Sequence, residues 1–246
     1  MRIAILTDIH ANREALESVL EDIRQRSIDR IVCLGDIVGY GPDPVWCVET
    51  MMRLAEKGAV VVKGNHDHAI EDAGEDLNSA ARRVIDWTRP QLTPEHHAFL
   101  AGLPMIHREG DLLFVHASAN SPSDWIYVVD AARARGSFAV CDARAIFCGH
   151  RHVPDLMSFG RDGEVHRQRF VTGHPLPLLS SRRWLAVVGS VGQPRDGNPK
   201  AAYAIFDTQK NELEFLRVSY DAAKTAAKLR ALGLPESLAA RLMQGS

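Results

Sequence analysis

Apolar residues in this chain fall into short runs, and the stretches between the first few runs carry helical spacing. Arg2-Ile3-Ala4-Ile5-Leu6-Thr7 is such a run, of strand length and β-branched enough to predict a buried strand. From Asn12 to Arg26 the apolar positions Ala15, Leu16, Val19, Leu20 and Ile23 share one face of a helix, with Asn12 as its N-cap. The next run, Asp29 to Leu34, predicts a second strand. Pro42-Asp43-Pro44 opens a second helix with Val45, Val48, Met52 and Ala55 on one face, and Gly58 ends it. Ala59-Val60-Val61-Val62-Lys63 is the third run. Strand, helix, strand, helix, strand in this order predicts a parallel, helix-covered sheet.

The pattern then changes. Residues 68–103 are helical in character, with Thr93-Pro94-Glu95 as a helix start. Met105 to His107 and Leu112 to His116 read as strands around the turn Glu109-Gly110-Asp111. Asp130 to Arg135 reads as helix, and Ala145-Ile146-Phe147-Cys148 as another buried strand. Strands and turns follow from 155 to 219, with hairpin signals at Asp162-Gly163 and Lys210-Asn211. A terminal helix is expected over Ala222 to Met243, broken near Gly233-Leu234-Pro235. No repeat, linker or low-complexity segment divides the 246 residues, so one domain over 1–246 is expected.

Composition narrows the class. A formal net charge of -2 gives no overall basic field for nucleic acid. The N-terminus enters a strand directly, without a signal peptide, and no apolar run approaches the ~20 residues of a membrane span. Cys33 and Cys148 lie in apolar runs as buried thiols, and no CxxC pair occurs. A cytoplasmic protein is expected. Eleven histidines are a surplus for this length, and their positions matter more than their number.

Five apolar runs end in residues of metal-ligand type: Asp8 and His10, Asp36, Asn65, His116, and His150 with His152. An aspartate after a strand is ordinarily a turn residue, and a histidine beside an apolar run is ordinarily structural. Five correlated occurrences at strand ends reverse that reading. The carboxyl ends of strands are where α/β proteins bind ligands. Oxygen and imidazole donors without thiolates suit Mn, Fe, Zn or Ni. Seven donors exceed one tetrahedral site and divide into two half-sites if Asp36 bridges, which holds two ions about 3.5–4 Å apart. Asp8 with His10, and His150 with His152, are spaced two apart; at strand ends such positions point to the same side, so each pair could chelate. Two carboxylates against two divalent ions leave an excess positive charge that suits an anionic substrate.

Asp8-x-His10, Gly35-Asp36, Gly64-Asn65-His66-Asp67, His116 and Gly149-His150-x-His152 resemble the five ordered motifs of the calcineurin-like metallophosphoesterase superfamily. The resemblance implies a four-layer αββα sandwich of two mixed sheets. It implies one ion on Asp8, His10, Asp36 and His152, and a second on Asp36, Asn65, His116 and His150. It further implies a metal-bridging hydroxide as nucleophile, with His66 bonding the phosphate or protonating the leaving oxygen. Asp67 either orients His66 or caps the following turn.

Where phosphoprotein phosphatases and the symmetrical dinucleoside tetraphosphatases read GDxVDRG, this chain has Gly39-Tyr40 in place of Asp-Arg. That departure favours the small bacterial and archaeal phosphodiesterase subgroup, as does Gly189-Ser190-Val191-Gly192-Gln193-Pro194-Arg195. Arg195 is either a phosphate ligand or a surface residue on a tight turn. Asn12 is a second candidate for substrate contact. Arg151 either meets substrate or points away. Trp125 and Tyr127 either stack on a base or pack beneath a loop. The expected activity is hydrolysis of small phosphate esters, diesters or nucleotides, with two divalent ions, manganese first. The rival readings are a nuclease and a non-catalytic, protein-binding scaffold.

Overall fold

The computed structural model describes residues 1–246 apart from positions 73, 75 and 76. Those three lie within the 68–103 stretch expected to be helical, and that part of the expectation falls outside the described residues.

The first strand, β1 (Arg2–Leu6), is buried on both faces. Ile3 and Ile5 point one way, into a core shared between two sheets. Ala4 and Leu6 point the other way, against helices α1 (Arg13–Arg24) and α2 (Pro44–Glu56). A strand with period-two side chains and two covered faces reads as a continuous apolar run, and this one does. Strands β2 (Arg30–Cys33) and β3 (Val60–Val61) add to it in parallel, with Ala4 opposite Ile31 and Val32 opposite Val60.

After the short α3 (Asn65–His68), α4 (Ser79–Thr88) and α5 (Pro94–Gly102), the chain builds a second sheet. Its strands are β4 (Ile106–Glu109), β5 (Leu112–Val115), β6 (Ala145–Cys148), β7 (Asp155–Phe159) and β8 (Val165–Arg167), with α6 (Ala131–Val140) between β5 and β6. The short β9 (Leu176–Pro177) belongs to the first sheet. Strand β10 (Arg183–Val187) returns to the second, and β11 (Ala201–Asp207) and β12 (Glu212–Val218) complete the first. Helices α7 (Ala222–Ala231) and α8 (Glu236–Gln244) close the chain, separated at Gly233-Leu234-Pro235 as the sequence indicates.

The sheet orders are β3-β2-β1-β11-β12-β9 and β4-β5-β6-β10-β7-β8. Each contains three adjacent parallel strands, β1, β2 and β3 in one and β5, β6 and β10 in the other, with antiparallel strands flanking them. Both sheets are therefore mixed. Their inner faces meet through Ile3, Ile5, Phe206 and Phe215 on one side and Phe114, Phe147 and Trp184 on the other. Phe147 lies 5.3 Å from Phe206 and 5.4 Å from Phe114 between ring centres. The outer face of the second sheet packs on α6 through Ala134 and Phe138. The result is four layers, αββα. Among the described residues no helix is long and apolar enough to cross a membrane.

The cysteines Cys33, Cys47 and Cys148 are buried and unpaired. Burial pushes the Cys33 and Cys148 thiols up, which keeps them protonated and inert.

Candidate active site

All six parallel strands end on the same edge of the sandwich, and each delivers polar side chains there. Asp8 and His10 follow β1, Asp36 follows β2, Asn65 and His66 follow β3, His116 follows β5, His150 and His152 follow β6, and Gln193 and Arg195 follow β10. Asp8, His10, Asp36, His150 and His152 all have left-handed backbone, with φ between 49° and 65°. Such conformations are uncommon and strained for residues with a Cβ. Lateral backbone bonds hold them: Asp8 N–H donates to Gly35 C=O at 3.0 Å, His10 N–H to Asp36 C=O at 2.9 Å, and Gly192 N–H to Asp8 C=O at 2.8 Å. Gly149 is needed for closeness rather than for φ, because a Cβ there would lie 1.9 Å from Thr7 Oγ1 and 2.5 Å from Asp8 Oδ2.

The side chains converge on two clusters, Asp8 with His10 and His152, and Asp36 with His116 and His150, and a third group, His10 with Asp36 and His66, overlaps both. In the first, His152 Nε2 lies 3.2 Å from Asp8 Oδ1. In the second, His116 Nε2 lies 3.2 Å from Asn65 Oδ1 and 3.1 Å from His150 Nδ1. Asp36 Oδ2 joins them, 3.6 Å from His10 Nε2 and 3.4 Å from His116 Nε2. Each carboxylate fixes its other oxygen elsewhere. Asp36 Oδ1 accepts the His66 backbone N–H at 2.8 Å, and Asp8 Oδ2 accepts the Thr7 hydroxyl at 2.8 Å and the His150 N–H at 2.9 Å.

These atoms fit divalent ions on a specific ground. His10 Nδ1 faces Val38 C=O at 3.1 Å, and His152 Nδ1 faces Gln193 C=O at 2.6 Å. A carbonyl can only accept, so both Nδ1 atoms carry the proton in the neutral rings and both Nε2 atoms present lone pairs. Those two Nε2 atoms are 3.0 Å apart. Two lone pairs at that distance call for a metal ion or a proton between them, and the carbonyls behind the rings are the outer partners that metal-binding imidazoles use.

Electrostatics agree. Burial lowers His10 well below its usual range, with Asp36 only partly opposing. Burial brings His66 down to about 4 and His150 to about 3. Burial opposes ionisation of Asp36, yet His116 and His66 beside it hold its carboxyl well below the usual value. His116 alone goes up, to about 9: burial lowers it, but Asp36 outweighs that. Ionised carboxylates with neutral His10 and His150 are protonation states that bind divalent metals, whereas His116 would have to give up its proton to a bound ion.

The description "Calcineurin-like phosphoesterase superfamily domain" matches residues 1–211 of the chain. The chain belongs to this superfamily. It is 37% identical over 253 residues to an uncharacterized protein of Methanocaldococcus jannaschii, covering 99% of this chain and 98% of that protein. It is 31% identical over 218 residues to a symmetrical bis(5'-nucleosyl)-tetraphosphatase of Methylococcus capsulatus, covering 81% and 71% respectively. Among solved structures, a metallophosphoesterase from Sphaerobacter thermophilus superposes with a TM-score of 0.87 at 42% identity, covering 100% of this chain and 99% of the other. A hypothetical protein from Pyrococcus horikoshii shares the fold, with a TM-score of 0.78 at 20% identity and coverage of 100% and 98%.

Within this phosphoesterase-superfamily framework, several residues stand differently from the sequence expectation. His150 and His152 do not share a cluster, unlike Asp8 and His10, although all four have left-handed backbone; this is the split that the resemblance implies. Asn12 does not line the cleft. Its Oδ1 accepts Ala15 N–H and the Thr225 hydroxyl, and its Nδ2 donates to Gly192 C=O and Tyr220 Oη, so its polar atoms serve α1 and the β10 loop. Arg151 donates to Asp155 at 2.7 Å and is outside the lining residues. Asp67 makes no hydrogen bond to the His66 ring: its carboxylate accepts Gly64 N–H, capping the start of α3, and also the backbone N–H groups of Asp36, Ile37 and Val38, clamping the β2 loop to the β3 loop.

Arg195 does reach the cleft, with its guanidinium 5.5 Å above the Tyr40 ring and one bond to Gln193. Tyr40, which the sequence marks only as a departure, lies 4.5 Å from the His66 ring and 4.6 Å from the His10 ring. The neighbouring Gly39 has φ of 88°, and a Cβ there would lie 2.1 Å from His66 Nδ1. An aspartate at this position therefore has no room beside His66 as the ring now stands. Gln193 was also missed, because its contribution is a backbone carbonyl, which carries no residue-type signal.

Proposed function

We propose that the chain is a dinuclear-metal hydrolase of small phosphate esters, of the nucleotide or diester type. The observation that carries this reading is Asp36 Oδ2, one buried oxygen facing both donor clusters. Asp8, His10, Asp36 and His152 would hold one divalent ion, and Asp36, Asn65, His116 and His150 the other. Their oxygen and nitrogen donors suit manganese first, then iron, nickel or zinc. When bound, such a pair polarises a phosphoryl oxygen and lowers the pKa of a water to about 7.

The remaining chemistry belongs to side chains. His66 is held by its own backbone on Asp36 Oδ1, and its Nδ1 is buried with no partner. An imidazole so placed bonds the phosphoryl group as a neutral N–H donor or, once it has gained a proton, carries that proton to the departing oxygen. Arg195 supplies a fixed positive charge at the cleft. The cleft encloses about 250 Å³, a small-molecule scale. The unpaired buried thiols fit a reducing, cytoplasmic setting.

The test is turnover of bis-p-nitrophenyl phosphate by manganese-reconstituted protein, with metal analysis alongside. The wild type should hold about two ions per chain and hydrolyse the diester. Turnover equal to that of an Asp36→Ala, His66→Ala double variant, or fewer than one ion per chain, overturns the reading.

A further inference from the structure

Four side-chain nitrogens lining this cleft are buried with no hydrogen-bond partner: His66 Nδ1, His150 Nε2, Arg195 Nε and Trp125 Nε1. The first three adjoin the proposed ion pair and its phosphate. Trp125 is different. Its indole N–H can only donate, and a buried donor without an acceptor is costly. It sits at φ of 50°, at the end of the turn Pro122–Asp124, a strained conformation for so large a residue. The ring stands edge-on to His116, 5.9 Å between centres.

Tyr127, two residues on, stacks on His150 at 4.0 Å with 24° between planes. It lines the cleft and remains 45% exposed. One face of an aromatic ring is thus fixed on a proposed ligand while the residue stays open to solvent.

Charge limits what the cleft takes. Arg195 is the one lysine or arginine among its described lining residues, and it lies over Tyr40, near His10 and His66. Trp125 and its chain neighbours Asp124 and Tyr127 also line the cleft. Beyond a phosphoryl group on the proposed ions, one fixed cation leaves a polyphosphate chain short of counter-charge. An uncharged, planar group with hydrogen-bond acceptors does fit.

Resting on the hydrolase reading above, we propose that the 121–127 loop is a nucleoside subsite. The substrate carries a single phosphoryl group, esterified to an alcohol whose base stacks on Tyr127 and whose oxygen accepts the Trp125 N–H. A polyphosphate bridge between nucleosides is not what this cleft is built for.

Calorimetric titration of manganese-reconstituted protein tests this without turnover. The probes are the adenosine phosphonate in which carbon replaces the bridging oxygen, methylphosphonate, and methylene-bridged diadenosine tetraphosphate. The nucleoside phosphonate should bind about tenfold or more tighter than methylphosphonate. Trp125→Phe, which keeps the ring and removes the donor, and Tyr127→Ala, at a position already open to solvent, should each weaken only the nucleoside ligand, by about fivefold or more. Equal affinity for the two monophosphonates, equal weakening of both by the variants, or preference for the tetraphosphate overturns the subsite. If the selectivity holds but no phosphate ester is turned over, the hydrolase reading fails and the subsite stands. Turnover without selectivity gives the reverse.

Discussion

His66 and Asp67 sit side by side in the chain and face different partners. Asp67 accepts four backbone N–H groups from two loops, and His66 leaves its ring to the cleft. Asp67→Ala should therefore cost on the order of 3 kcal/mol, read from denaturant midpoints, because four buried donors lose their shared acceptor. His66→Asn should leave metal content and stability near wild type. Its loss of kcat should be about a hundredfold or more for an ester with an alcohol leaving group, the usual scale for a positioned proton donor. For p-nitrophenyl esters, whose leaving group needs no proton, the loss should be far smaller; equal losses would place His66 on the phosphate instead. Asp36→Asn should lower bound metal below one ion per chain and Asp8→Asn to about one, since only Asp36 faces both clusters. The ligand-type residues were legible as single letters at the ends of apolar runs. The clamp of Asp67, the carbonyl of Gln193 and the seat of Trp125 were not, because each depends on which loop lies beside which.

Elements were easier to read than contacts. The strand and helix sequence of the first sixty residues follows from period and from the Asn12 cap, and farther along Thr93, Asp130 and Asp221 also cap helices through a side-chain oxygen. Strand β3 came out shorter than its apolar run, since only Val60 and Val61 pair with β2. The parallel run β1-β2-β3 was expected, whereas the antiparallel addition of β11 beside β1 joins residues some 200 apart and has no local signature. Helix α1 shows how a distant element docks. Glu14 is buried, and Lys228 and Lys224 of α7 lie 2.7 and 3.2 Å from its Oε1, with the Thr225 hydroxyl on its Oε2. Burial alone would raise its pKa, but the lysine contacts hold it below the ordinary 4.5. Glu14→Gln should cost about 1–2 kcal/mol at neutral pH, the lysines being partly exposed. Because the folded-state pKa is depressed, the contribution is present above the unfolded value and is lost as pH falls through the folded one. The gap between wild type and variant should accordingly close in acid titrations of stability.

At the scale of the molecule, neither sheet owns the site. Asp8, His10, Asp36 and Asn65 come from the first sheet, and His116, His150 and His152 from the second. Ions bound as proposed should raise the thermal midpoint, with saturation a thousandfold above Kd contributing about 4 kcal/mol. Chelation should reverse the rise, and Asp36→Ala should show none. The apolar seam between the sheets ends at the edge where these residues meet, so each cation would act as a rivet through two plates. Prying the plates apart then begins with ejecting the rivet, and amide exchange along β1 and β6 should quicken together once it is gone, even while every helix on the outside stays wound.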